Sequence, residues 1–334
     1  MTTARLNMST EPISVLGFHH ATAIAGDAQT NVNFYAGVLG LRLVKRSVNQ
    51  DAPNVYHLFY ADAEGTPGTD ITFFPWGIVA PFQQGTGVIW EQGFCVPPAS
   101  LDYWRQRLES YGVAVETGVE WGVPLLRFRD PDGMRLALIA SDTPRPFTPW
   151  DGSPVPPEHQ IRGLFTAQIG VAGLGATERV LTEILGFMPV GQADSVYRFQ
   201  VGSPGAMGFG YLEVCVRPDS PRGRWGRGGM HHLAWRVRDE AHLNQLRERI
   251  ESLGLQPTPV IDRFWFRSVY FREPGGVLFE LATDGPGFGI DEDRAHLSER
   301  LVLPPWLEPR RAEIEAALPP IVYPPANPEL PEML

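Results

Sequence analysis

Two His-His pairs and one isolated glutamate carry the chemistry that this sequence could perform. His19-His20 lies in Phe-His-His-Ala-Thr-Ala-Ile, and His231-His232 lies in Met-His-His-Leu-Ala-Trp-Arg-Val, together four of the eight histidines. A single His-His pair reads as an ordinary hydrogen-bonded feature; the same pair opening two similar segments calls for a common role. Side chains alternate across a strand, so His231 shares a face with Leu233, Trp235 and Val237, which should pack against a helix. His232 falls on the other face with Ala234 and Arg236 and should look into the concave side of a sheet. The same register puts His20 with Thr22. Glu280 stands in Val277-Leu-Phe-Glu-Leu-Ala-Thr283, opposite the apolar face of Val277, Phe279 and Leu281. A carboxylate in such a strand is costly unless it meets a cation, either an arginine such as Arg236 or a metal. Two imidazoles and one carboxylate form the facial set of non-haem iron(II) oxygenases, with coordination positions left over for substrate and O2. His20, His232 and Glu280 are therefore the expected metal ligands.

The elements that would position these groups repeat along the chain. Leu101, Trp104, Leu108 and Tyr111 step by three, four and three, as do Leu243, Leu246, Ile250 and Leu253. Each series predicts one face of an amphipathic helix, stopped at Gly112 or Gly254 and opened by Ser100 or Asp239 as N-cap. Each helix is followed by a turn, Asp130-Pro-Asp-Gly133 or Glu273-Pro-Gly-Gly276, that feeds an alternating run. Phe34 to Leu41 matches Val180 to Phe187 as a short helix ending in Leu-Gly-apolar. The order is strand, helix, then several strands, four times over, starting near His20, Gly93, Thr166 and His232. Modules one and three are alike, as are two and four, which indicates a duplicated pair. In the second module the position matching Glu280 is Ala137, so the scaffold itself does not require a carboxylate there. The organisation expected is a module pair over 14–142, a Pro-rich linker over 143–160, a second pair over 161–284 and a Pro-rich tail over 285–334, with one short helix from about Pro309 to Ala317.

Composition narrows the classes. Lys and Arg number 28 against 38 Asp and Glu, a net charge of −10. An acidic chain repels a phosphate backbone, so nucleic acid is not an expected partner. No apolar run is long enough for a membrane helix. Met1 to Ser9 reads as a short disordered leader rather than a signal peptide. Cys95 and Cys215 sit in apolar stretches as buried thiols, and a cytoplasmic location is expected.

These segments resemble the vicinal oxygen chelate superfamily, and more closely its hydroquinone ring-cleaving dioxygenases. The resemblance runs from about Leu16 to Phe288. It is carried by His19-His20-Ala-Thr22, Val38-Leu-Gly with Val44-Lys-Arg46, Tyr56-His-Leu, Gly65-Thr-Pro-Gly-Thr69, Gly229-Met-His-His232 and Pro274-Gly-Gly-Val-Leu-Phe-Glu280. It implies an α+β fold of four βαβββ modules in two paired half-barrels. It implies Fe(II), with Mn(II) as the other candidate, held by His20, His232 and Glu280, and a small aromatic substrate cleaved with O2. The catalytic neighbours it implies are His19, Thr22, His231, Arg263 and Tyr270. The place of His231 conflicts with the strand alternation above unless a bulge or a strand edge intervenes. Trp76, Phe264 and Phe266 are candidates for the aromatic pocket, and His57 reads as a satisfied core histidine. Two other functions suit the scaffold: a glyoxalase-like lyase or isomerase, which commonly uses four protein ligands, and a metal-free small-molecule binding protein, which has no need of Glu280. A homo-oligomer is left open.

Overall fold

Each of the four modules forms as its pattern predicts, in a computed structural model that describes residues 13–325; the leader read over Met1 to Ser9 lies outside them. Module one contains β1 (Phe18–Ala25), β2 (Arg42–Asn49), β3 (Ala52–Ala61) and β4 (Asp70–Pro75). Module two contains β5 (Val88–Val96), β6 (Glu116–Glu120), β7 (Val123–Arg129) and β8 (Arg135–Ala140). Module three contains β9 (Leu164–Val171), β10 (Met188–Ala193), β11 (Val196–Val201) and β12 (Gly210–Val216). Module four contains β13 (Gly229–Val237), β14 (Ile261–Asp262), β15 (Arg267–Arg272) and β16 (Leu278–Thr283).

The helices follow their apolar spacing. α1 (Ala28–Val32) and α3 (Gly175–Arg179) each run on into a π turn, Asn33–Val38 and Val180–Ile184. α2 (Leu101–Ser110) buries Trp104 and Leu108, and α4 (Glu240–Ser252) buries Leu243, Leu246 and Ile250. Asp239 caps α4 by accepting from the His242 amide. Ser100 makes no such cap, because its hydroxyl is turned to the Glu158 carbonyl and the His159 ring. The two turns close alike. The Asp130 amide donates to the Met134 carbonyl and the Glu273 amide to the Val277 carbonyl, and each carboxylate accepts from the amide four residues on.

The strands form two curled eight-stranded sheets, β14-β15-β16-β13-β1-β4-β3-β2 and β10-β11-β12-β9-β5-β8-β7-β6. The pairing crosses the halves 14–142 and 161–284. Module one joins module four through antiparallel β1 and β13, and module two joins module three through antiparallel β5 and β9. The physical reason lies in the exposed edges: β1 and β13 each have one edge left after pairing in parallel with their own module's last strand, β4 or β16, and the two edges satisfy each other. The main apolar core lies between the sheets and the helices.

The linker 143–160 is packed rather than loose, with Val155 buried and Ser153 donating to the Gly40 carbonyl. The tail covers the outer edge strand β2. The Val302 amide donates to the Arg46 carbonyl at 2.9 Å, the Leu43 amide donates to the Tyr323 hydroxyl, and fully buried Lys45 pairs with Asp291 and Glu292. The tail helix α5 (Arg311–Ala317) falls within the predicted span.

Candidate metal centre

His20 from β1, His232 from β13 and Glu280 from β16 converge inside the first sheet's curve. Glu280 Oε2 lies 3.2 Å from His20 Nε2 and 2.8 Å from His232 Nε2, and the two nitrogens are 3.3 Å apart. All three side chains are buried. Arg236, the other candidate partner for Glu280, pairs with Asp284 instead.

Backbone geometry brings both members of each His-His pair to this face. Phe18 lies opposite Trp235 but His20 opposite Ala234, so His19 is an extra residue in β1. Thr22 lies opposite His232 but Ala23 opposite Met230, so His231 is an extra residue in β13. Each is a β-bulge. The bulge cancels the alternation that sends His231 toward the helix, and His231 instead lines the cavity beside the metal ligands.

A backbone carbonyl fixes the tautomers of His19 and His20. His19 Nε2 lies 3.1 Å from the Thr283 carbonyl, which can only accept, so this nitrogen carries the proton. Burial, then the neighbouring His20, lowers the His19 pKa to about 3, which keeps it neutral and leaves Nδ1 as an acceptor. Its partner at 2.8 Å, His20 Nδ1, must then donate. When neutral, His20 therefore points the lone pair of Nε2 at the centre; burial favours that form, while the Glu280 carboxylate outweighs it and raises the His20 pKa. His231 Nδ1 and His232 Nδ1 repeat the contact at 2.8 Å, and burial, then His232, lowers His231 to about 3. Burial works against charge on Glu280, but the two imidazoles outweigh it and hold its carboxyl well below the usual range. Its Oε1 accepts from Ser268, while Oε2 has no donor in hydrogen-bonding geometry. A carboxylate oxygen without a donor, 3.2 and 2.8 Å from two imidazole nitrogens, fits a divalent cation with open coordination positions.

A cavity of about 320 Å³ opens over these ligands. Phe59, Phe74, Trp76, Trp265 and Phe266 give it aromatic walls. Trp76 and Phe266 are thus where the sequence suggested. Phe264 is not among the lining: it adopts a positive φ of 73° and packs edge-on against Trp265 and Trp306. Tyr270 and Arg263 both line the cavity. Burial, then Glu280, raises the Tyr270 pKa, so the phenol keeps its proton, and the Arg263 guanidinium lies over its ring at 5.4 Å. Arg263 also pairs with Asp51 at the cavity mouth. Thr22 is fully buried outside the lining, with its hydroxyl 2.9 Å from that of Thr72. His57, read from sequence as a core residue, lines the cavity. The signal for it was present: Tyr56, Leu58 and Tyr60 belong to the apolar core, which leaves His57 and Phe59 for the inner face.

The profile of the Glyoxalase/Bleomycin resistance protein/Dioxygenase superfamily matches residues 17–138 and 164–281. The chain belongs to that superfamily. Within it, the chain sits with the ring-cleaving dioxygenase branch. It is 43% identical over 92% of its length to the whole of MhqA of Bacillus subtilis, whose name assigns it provisionally to the ring-cleaving dioxygenases. It is 33% identical over 91% of its length to 96% of the chlorohydroquinone/hydroquinone 1,2-dioxygenase of Sphingobium indicum. A solved structure of a provisionally named dioxygenase from Bacillus subtilis superposes with a TM-score of 0.88 at 37% identity, covering 92% of this chain and 98% of that one. The superfamily's half-barrel fold is the architecture described above.

Proposed function

We propose that this chain is an iron(II)-dependent dioxygenase that opens the ring of hydroquinone-type aromatics with O2. The observation that carries the reading is the convergence of two imidazole nitrogens and one undonated carboxylate oxygen under an aromatic-walled cavity. His20, His232 and Glu280 would hold the ion. Bound there, Fe(II) would supply one-electron chemistry toward O2 and acidify a phenolic hydroxyl.

The chain's own groups handle the substrate. Phe59, Phe74 and Trp265 receive the ring and exclude water. Tyr270, protonated at neutral pH, donates to a substrate oxygen beside Glu280, and the Arg263 guanidinium at its side favours the anionic form of that oxygen. His231 Nε2 has no protein partner among the described residues and faces the same space, where it can donate to or accept from a bound oxygen. His19 and the Thr283 carbonyl keep His20 in its ligating tautomer.

Anaerobic loading with Fe(II) or Mn(II), followed by oxygen-electrode assays with hydroquinones and catechols, tests the reading. Stoichiometric O2 uptake with hydroquinone and a product heavier by two oxygen atoms is the expected result. Methylglyoxal turnover without O2 and no uptake with any diol would overturn it.

A further inference from the structure

We propose that His57 recognises the distal hydroxyl of a para-dihydroxybenzene, so that the site selects a diol over a monophenol. The inference deepens the hydroquinone reading and rests on it.

The ligand strands β16, β13 and β1 are contiguous in the sheet, with Tyr270 on β15 beyond one side and β4 and β3 beyond the other. His57 stands two strands from His20 and further along the sheet, since Leu58 lies opposite Phe73 while Asp70 lies opposite His20, and its side chain leans back to Thr72. Both residues line the same cavity, so a ring with oxygens at both ends can lie across it between them. Of the lining side chains from β3 and β4, His57 alone is polar, set between Phe59 and Phe74 at ring-centroid distances of 3.8 and 4.4 Å. The ring is held from behind. Its Nε2 lies 2.9 Å from the Thr72 hydroxyl, which is 2.9 Å from that of Thr22, and both threonines are fully buried. Thr22 thus acts through Thr72 as a positioning residue for His57.

A neutral imidazole has one donor and one acceptor nitrogen. With Nε2 committed to Thr72, Nδ1 has no protein partner among the described residues. His57 is only partly buried and lines the cavity, so this nitrogen is free to meet a ligand or water there. A phenolic hydroxyl both donates and accepts, so it satisfies Nδ1 in either tautomer. A carboxylate substituent fits poorly, because burial, then His20 and His232, keeps the ring uncharged.

The test is calorimetric binding of hydroquinone and phenol to protein loaded anaerobically with redox-inert Zn(II), for the native chain, His57→Phe and His57→Asn. The native chain should bind hydroquinone about tenfold more tightly than phenol, the worth of one hydrogen bond. In His57→Phe the two ligands should converge to within about twofold, with phenol affinity retained, while His57→Asn should recover part of the gap. A preference for hydroquinone that survives in His57→Phe overturns the assignment, as does an equal loss of both ligands with the near-UV dichroism intact. If Fe(II)-loaded native protein consumes O2 with hydroquinone while either of those results holds, only the role of His57 falls. If the native protein neither binds hydroquinone nor takes up O2 with it, the functional reading falls and takes this inference with it.

Discussion

The two curled sheets are built on one plan, yet among the described residues only the first brings together three side chains that could hold a metal ion. Registers place Thr166 at the position of His20, Glu91 at that of His232, Ala137 at that of Glu280 and Arg127 at that of Tyr270. The bulges are shared as well. Trp90 and Phe165 are the extra residues in β5 and β9, as His231 and His19 are in β13 and β1. The irregular backbone that turns a neighbouring pair of side chains inward is therefore a property of the scaffold, not of the metal. What differs is the filling. In the second sheet Arg127 bonds Glu91 at 2.9 Å and Glu120 at 2.6 Å, and Arg135 reaches Glu91 at 3.1 Å. Arg198 lies over the Tyr211 ring at 3.9 Å. Guanidinium groups supply the cations there, and every buried carboxylate of that cup has a partner. In the first sheet Glu280 meets no guanidinium: Ser268 donates to one oxygen, and the other faces the imidazoles of His20 and His232.

That contrast is broken most directly at Glu280. Glu280→Gln should abolish stoichiometric metal binding and lower hydroquinone-dependent O2 uptake by at least about a thousandfold, more than the loss of a group that merely orients a ligand, with the thermal midpoint of the metal-free protein little changed. Iron content measured after gel filtration decides it: a full complement of iron with normal turnover would mean that the triad is wrongly assigned.

The next effect separates the two sets of bulge residues. His231→Phe should weaken metal affinity by roughly 10- to 100-fold, the usual cost of removing a hydrogen-bond partner of a ligating imidazole. Trp90→Phe, its counterpart in the second sheet, should leave metal affinity where it was. Chelator competition measures both. Equal losses in the two variants would show that bulge packing, not the imidazole contact, sets the affinity.

Much of this site was legible before any coordinates. The repeat carried the four modules, and Glu280 announced itself as a charge on the inner face of an apolar strand whose counterpart is Ala137. The pairing of modules across the halves was not legible, because like modules carry like patterns and the choice of neighbour is made by long-range edge contacts. His231 was misdirected for a local reason: a bulge inserts one residue into a period of two, and nothing in Gly-Met-His-His-Leu marks where. The threonine relay to His57 crosses three strands from different parts of module one, a juxtaposition that no spacing along the chain reveals.

Smaller effects belong to the second sheet. Glu91→Gln leaves Arg127 and Arg135 without their shared buried carboxylate. Breaking a buried pair costs several kcal/mol, but these guanidinium groups remain 20% and 30% exposed, so the loss should be about 2 kcal/mol in urea unfolding. Iron binding should be untouched. A variant that folds normally but loses iron would couple the two cups in a way that their separate sheets do not suggest.

Replacing both partners tests whether the second cup's charges do anything beyond neutralising one another. Glu91→Leu with Arg127→Met removes the carboxylate and its main guanidinium together, and apolar side chains of similar volume commonly replace such a pair at little cost. Glu120 and Arg135, both partly exposed, can turn to water. The double variant should therefore unfold within about 1 kcal/mol of the native chain, recovering most of what Glu91→Gln alone loses. No comparable replacement is available in the first cup, where swapping His20, His232 and Glu280 for apolar groups would keep the fold and remove the chemistry. Were the double variant as unstable as the single one, the ion pairs would be holding strands that packing alone cannot hold, and the two cups would differ in how they stand up as well as in what they bind.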